Sequence, residues 1–331
     1  MAYKLQKIGN YIVITNTVTG LTDEYAARDV LYYDTPTSIR ITTINNASIS
    51  KDYQLADLLD YDGVAFGSIA LAVKWLRDNT GSDVNASIPY TYAIAEGSLT
   101  DHAALLKFGT RTAVAANTPS AIWEGNTPLY AYMSTAQQLK VVSSSTEDAS
   151  GGTGSRTVFL QGLDANFDLI DETVTMNGTT TVTTTKSFSR IFRGYTITCG
   201  TALTNVGKIT VRNNAATVEQ LVINAGDGQS LMTLWTVPRG KTAYLINGGF
   251  STDSNKGARV SFFTRINNGG VAYPWQIKYR SFVFGGQNNY PFSIPFKILE
   301  KTDVEVRVNT PSGAGVTSAG ATFELWYETN D

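Results

Sequence analysis

Side chains that do chemistry near neutral pH are nearly missing from this chain: its 331 residues include one histidine, His102, and one cysteine, Cys199. A single histidine excludes a multi-histidine metal site by count, and a Ser-His-Asp triad would rest on His102 entirely. No G-x-S-x-G elbow is present to supply a nucleophile. One cysteine cannot close an internal disulfide, so durability has to come from packing and partners. Charge is scarce as well. Asp, Glu, Lys and Arg make up 16% of the residues, against about a quarter in soluble domains. Thr, Ser and Asn fill the deficit, which points to surfaces that meet protein rather than open water, and so to an oligomer. With 26 Lys and Arg against 28 Asp and Glu, no basic excess exists to bind nucleic acid. No apolar run reaches the length of a membrane span, and Met1 to Thr15 lacks the apolar stretch of a secretory signal, so synthesis in a cytoplasm is expected.

What the chain does contain is β-structure. Short runs of Thr, Val, Ile, Phe and Tyr are broken by turn pairs at Asn177-Gly178, Asp227-Gly228 and Pro238-Arg-Gly240. The expected fold is mainly β. A small N-terminal α+β module (1–88) precedes two tandem antiparallel β-sandwich, jelly-roll-like domains, 89–225 with a connector helix and 226–331, cut at the turn around Ala225 to Gly228. In the first module Tyr11 to Thr15 and Ile39 to Ile44 read as strands. Ser68 to Gly81 reads as a helix with Ser68 as N-cap and Ile69, Val73 and Leu76 on one face, and Trp75 as its anchor. A second helix is expected from Leu99 to Phe108, capped by Ser98 and Asp101 and closed by Gly109. The polar stretch Ser143 to Ser155 could join Leu139–Val142 and Arg156–Leu160 as a wide hairpin.

Each candidate for chemistry has a structural reading beside it. Asp164, Asn166 and Asp168 imitate the start of a calcium loop. The required glycine is replaced by Leu169 and the bidentate acid by Thr175, so an Asx turn accounts for them. Asp171 and Glu172 are neighbours on a strand and face opposite ways. Asp303, Glu305 and Arg307 alternate with Val304, Val306 and Val308, which reads as the solvated side of a half-buried strand. Tyr273, Trp275, Ile277 and Tyr279, with Phe282, Phe284, Tyr290, Phe292 and Phe296, read as core by default, with a glycan or subunit surface as the alternative. Gly151, Gly152 and Gly154 lack the context of a phosphate cradle, and Cys199 reads as a small buried apolar residue. No catalytic, cofactor-binding or metal-binding residue is assigned, and no enzyme is expected.

Two stretches carry a resemblance. Asp62-Gly-Val-Ala-Phe-Gly-Ser through Lys74-Trp-Leu-Arg-Asp-Asn-Thr-Gly81 resembles a module of virion structural and fibre proteins of tailed bacteriophages. Arg156-Thr-Val-Phe-Leu-Gln-Gly-Leu-Asp-Ala-Asn-Phe-Asp168, with Thr173 to Thr180, resembles a β-domain of phage virion proteins. The resemblance implies a non-enzymatic virion component, synthesised in a host cytoplasm, such as a capsid decoration or knob, or a tail or fibre protein. Its partners would be its own copies, as a trimer or pentamer, and other virion proteins docked through the N-terminal module. The alternative is a receptor- or glycan-binding tail protein that uses the C-terminal sandwich. The chain has no heptad segment, collagen-like tract or repeat to build a long shaft.

Overall fold

In the computed structural model the described residues are 3–8, 11–16, 19, 21–26, 30–34, 38–43, 46–54, 58–59, 90–253, 257–268, 271–310 and 316–330. The expected helix Ser68 to Gly81, with Trp75, lies outside them. The chain divides into two compact units, residues 1–99 and 100–331.

The first unit contains β1 (Tyr3–Ile8), β2 (Tyr11–Asn16), β3 (Thr22–Ala26), β4 (Val30–Asp34), β5 (Ser38–Thr43), β6 (Asn46–Gln54), β7 (Leu58–Leu59) and a short helix α1 (Tyr90–Ala95). The runs expected as strands from Tyr11 and Ile39 lie in β2 and β5. One sheet has the order β3-β2-β1-β7 with β7 parallel to β1, and β4-β5-β6 is a meander. Leu5, Ile12 and Ile14 are fully buried in the first sheet.

The second unit begins with β8 (His102–Val114), where a helix is expected from the sequence. Twelve register positions tie β8 to the last strand, from Val114 opposite Val316 to His102 opposite Glu328. A ladder of that length overrides the local capping signal of Ser98 and Asp101. Gly109, expected as a helix stop, is a strand residue. A Cβ there would come within 2.8 Å of Met232 Cα and Thr233 N, so Gly109→Ala should cost about 2 kcal/mol through overpacking, read as a lowered thermal midpoint.

The other strands of this unit, in order, are β9 (Ser120–Ala121), β10 (Lys140–Ser143), β11 (Ser155–Leu163), β12 (Leu169–Thr175), β13 (Val182–Thr183), β14 (Arg190–Cys199), β15 (Ile209–Arg212), β16 (Glu219–Ile223), β17 (Leu234–Thr236), β18 (Lys241–Thr252), β19 (Ala258–Asn268), β20 (Val271–Ala272), β21 (Gln276–Val283), β22 (Gly286–Ile298), β23 (Thr302–Asn309) and β24 (Val316–Thr329). They form the sheets β22-β18-β24-β8 and β17-β23-β19-β20, the latter extended by β21 on β19 and β9 on β23. One apolar cluster joins both sheets: Leu245, Phe250, Phe323 and Leu325 from one, and Val260, Phe262, Val304 and Val306 from the other. Two smaller sheets, β13-β10-β15-β16 and β12-β11-β14, share a second cluster around Trp123, Leu160, Phe188 and Leu221.

This pairing corrects the tandem arrangement. Strands β8 and β9 precede the cut expected at 225/226, yet they pair with β24 and β23 beyond it. Met232 and Leu234, from beyond the cut, pack in the second cluster. The segment β10 to β16 is therefore enclosed in sequence by strands of the two larger sheets. The turn itself is present, with Gly226 and Gly228 at φ +84° and +68°, values that favour glycine.

The wide hairpin across Ser143 to Ser155 is also corrected, because β10 and β11 lie in different sheets. Asp148 organises this loop instead. It is fully buried and accepts hydrogen bonds from Ser143 Oγ (2.6 Å), Ser155 N (2.8 Å), Val206 N (2.9 Å) and Gly207 N (2.8 Å). Four donors satisfy a buried carboxylate without a counter-charge.

Candidate functional site

Strand β23 lies between β17 and β19 and is covered on both faces. Val304, Val306 and Val308 enter the apolar cluster. Asp303 and Glu305, expected in solvent, are fully buried on the other side, with Arg307 half-buried beside them. The expected alternation is present, but the expected solvated face is not, because the segment around Tyr130 to Met133 and strand β14 cover it.

Cross-strand register places Arg265 opposite Asp303, the arrangement in which opposite charges on neighbouring strands stabilise. Asp303 Oδ1 accepts from Arg190 Nε (2.9 Å) and Thr236 Oγ1 (2.7 Å), and Oδ2 accepts from Arg190 Nη2 (3.2 Å) and from Arg265 Nε (3.2 Å) and Nη2 (2.6 Å). Glu305 accepts from Arg307 Nε (2.5 Å) and Tyr132 Oη (3.1 Å). Arg265 is stacked between the Tyr132 ring at 4.6 Å and the Trp275 ring at 4.5 Å.

The two carboxyls respond in opposite directions. Burial pushes Asp303 up, but the charges and hydrogen bonds of Arg190 and Arg265 together outweigh it and hold the group below its ordinary value. For Glu305 burial prevails over Arg307 and Tyr132, and the group is raised.

Over this cluster opens a cavity of about 680 Å³, lined by Tyr132, Met133, Ser134, Thr135, Ala136, Ala165, Asn166, Phe167, Ser189, Arg190, Arg239, Arg265, Asn267 and Lys301. Asp164 Oδ1 accepts from Asn166 N (2.8 Å) and Asp168 N (3.0 Å). This Asx turn presents Asn166 and Phe167 at the cavity, and Asp168 holds Arg239 through two hydrogen bonds of 2.8 and 2.6 Å. Among the described residues no group of His, Cys, Asp and Glu is arranged to hold a metal.

The other candidates lie elsewhere. His102 starts β8, with Nδ1 2.9 Å from Thr100 O and Nε2 3.3 Å from a Glu328 carboxylate oxygen. Asp171 is exposed, whereas Glu172 accepts from the backbone of Thr185 and Lys186. Cys199 is half-buried rather than buried. The aromatic row is divided: Tyr279, Tyr290, Phe292 and Phe296 are half-buried and pack against the larger apolar cluster, Trp275 is half-buried, and Tyr273, Phe282 and Phe284 are exposed. Gly152 and Gly154 pack against Glu147 and Asp148, where a Cβ would have no room.

Another buried charged residue, on β8, has no local signal in the sequence. Lys107 on β8 is buried and donates to the carbonyl oxygen of Phe192. The β11–β14 register shifts between Gln161/Arg193 and Gly162/Ile191, leaving Phe192 as the bulged residue. A bulge frees a ladder carbonyl, and the lysine satisfies it. Burial, and then the neighbouring Arg193 charge, lower the Lys107 ammonium to about 7.

No family model matches the chain, and no curated protein matches it. Among solved structures it is similar to that of infectious bursal disease virus Gt strain, at 12% identity over 73% of this chain and 78% of that one, with a TM-score of 0.23. It is also similar to a mutant VP2 protein of the same virus in derived T=1 particles, at 11% identity over 75% and 76%, with a TM-score of 0.22. At these TM-scores the likeness carries no argument about fold or role.

Proposed function

We propose that this chain is a non-enzymatic structural component of a tailed-phage virion, an oligomeric surface or adaptor protein located in the particle. In this reading the two larger sheets form a jelly-roll-like sandwich, and the N-terminal unit docks onto the particle. The copies associate as a trimer or pentamer, the closed rings that suit a decoration, knob or tail component. The observation that carries the reading is the edge formed by β21 and β22. Each pairs on one side only among the described strands, β21 with β19 and β22 with β18. They and the turn between them expose Ile277, Phe282, Phe284 and Ile294, the last two at 72% and 84%. An unpaired strand edge bearing large apolar side chains is an association surface unless it is blunted by charge. Lys278, Arg280 and Lys297, with Pro291 and Pro295 on β22, limit ladder pairing along this edge, so the exposed apolar side chains rather than the strand backbones carry the association.

Sedimentation velocity tests this. The purified chain should sediment as an oligomer whose association changes little between low and moderate salt, because apolar and backbone contacts are weakly screened. Ile294→Asp, at a side chain that supports no core, should weaken association by about tenfold or more. A strictly monomeric chain at micromolar concentration would contradict the proposal. A second reading makes the same edge a glycan- or receptor-binding surface, favoured by the exposure of Tyr273, Phe282 and Phe284. Glycan-array binding that is lost on replacing these rings by alanine, by a chain that stays monomeric, would support it over the first.

A further inference from the structure

We propose that the cavity over Asp303 is a binding site for an acidic sugar, with the carboxylate held between Lys301 and Arg265. The proposal goes beyond the virion role and stands or falls without it. Four cations line the cavity, Arg190, Arg239, Arg265 and Lys301, and no Asp or Glu does. Of the four, Arg190 is engaged through all three of its nitrogens. Arg190 gives Nε and Nη2 to Asp303, Nη1 to the carbonyls of Met133 (3.0 Å) and Ser189 (2.8 Å), and Nη2 to Asn267 (3.4 Å). Arg239 is paired with Asp168 through Nε and Nη2 at the more exposed side of the cavity, its side chain 51% exposed. Arg265 engages Asp303 through Nε and one Nη2 hydrogen, which leaves its Nη1 side open. Lys301 has no carboxylate partner among the described residues, while its main chain is fixed: its N–H donates to Val237 O (2.8 Å), and its carbonyl accepts from Asn267 N (2.9 Å) and Nδ2 (3.0 Å).

Asp303 and Asp168 neutralise two of the four positive charges, so a partly enclosed space retains an excess of cation. Low surrounding polarizability makes such an excess a strong attractant for one anion. A bare phosphate or sulfate would leave most of a 680 Å³ cavity empty, since this volume falls in the range of drug-sized ligands. Ser134, Thr135, Asn166 and Asn267 line the remainder and offer hydroxyls and amides suited to a polyhydroxylated ring. Two of the six non-glycine residues with positive φ among the described residues line the cavity, Phe167 at +67° and Lys301 at +55°. Both sit in turns, which fixes the backbone at this rim of the cavity.

Titration of the full chain by calorimetry and by tryptophan fluorescence tests the assignment, since Trp275 stacks on Arg265. The probes are glucuronate, neutral glucose and inorganic phosphate. Glucuronate should bind with an affinity that falls as salt is raised, and glucose should bind about tenfold more weakly or not at all. Lys301→Gln should weaken glucuronate about tenfold with an unchanged melting curve, and Lys301→Arg should retain it. Tyr273→Ala, on the aromatic edge, should leave binding unchanged, which separates this cavity from the glycan reading of that edge. Absence of glucuronate binding at millimolar concentration, glucose binding equal to glucuronate, or wild-type affinity in Lys301→Gln would overturn the proposal. Phosphate binding as tight as glucuronate would overturn the sugar assignment.

Discussion

Asp303→Asn is expected to destabilise the unit 100–331 by about 3–5 kcal/mol, the range found when one partner of a buried ion pair is removed. The carboxylate accepts five hydrogen bonds, four of them from two guanidiniums. An amide of the same shape offers one acceptor and turns two donors toward donors. Arg190, with its side chain 8% exposed, would then keep a charge with no counter-ion. Denaturant unfolding of the wild type and the variant measures the difference. The pH dependence has a definite sign. Because the folded state holds Asp303 below its ordinary 3.8, its contribution is complete above that value and is lost as pH falls through the folded value. Glu305 acts in the opposite direction. Raised above 4.5, its buried carboxylate costs stability at neutral pH, and the cost is relieved as pH falls toward 4.5. Stability of Asp303→Asn should therefore depend less steeply on pH below 3.8 than that of the wild type.

Lys107→Met should reverse sign with pH. In the folded chain Lys107 titrates near 7, against 10.5 when unperturbed, a difference that corresponds to about 5 kcal/mol. The unfolded chain binds the extra proton between these values, so the lysine's cost is complete below pH 7 and is relieved as pH rises toward 10. At pH 6 methionine, of similar length and uncharged, removes that cost and loses only the hydrogen bond to the bulged carbonyl of Phe192, worth about 1–3 kcal/mol. The variant should be more stable than wild type by about 2 kcal/mol. At pH 10 only the lost hydrogen bond remains, and the variant should be less stable. Thermal midpoints of both proteins at the two pH values check this; a gap of constant sign would show that Lys107 is not a buried, neutral donor.

The β-character, the turns at Asn177-Gly178 and Asp227-Gly228, and the Asx turn at Asp164 were legible because each depends on residues adjacent in sequence. What escaped depends on distant partners. The segment after Leu99 carries a helix cap, and only the C-terminal strand Val316–Thr329 converts it into β8. The pattern Asp303-Val-Glu-Val-Arg-Val308 is the same for a strand with one wet face and for one covered on both. The distinction comes from Arg190 and Tyr132, more than 100 residues earlier in the sequence, which cover the polar side. The aromatic row splits for a related reason: Tyr279, Tyr290, Phe292 and Phe296 pack against the core as its alternation suggests, whereas Phe282 and Phe284, on the edge strand β21 and in the turn after it, stay in solvent. Lys301 and Arg265 gave no local signal at all, because their significance lies in which neighbouring charges are already paired.

Labelling particles tests the proposed virion role most directly. Antibodies raised against residues 100–331 should decorate purified particles at symmetry-related positions in negative-stain images, and the chain should band with particles through a density gradient at both low and moderate salt. Particles that carry no label, with the chain left at the top of the gradient, would contradict it.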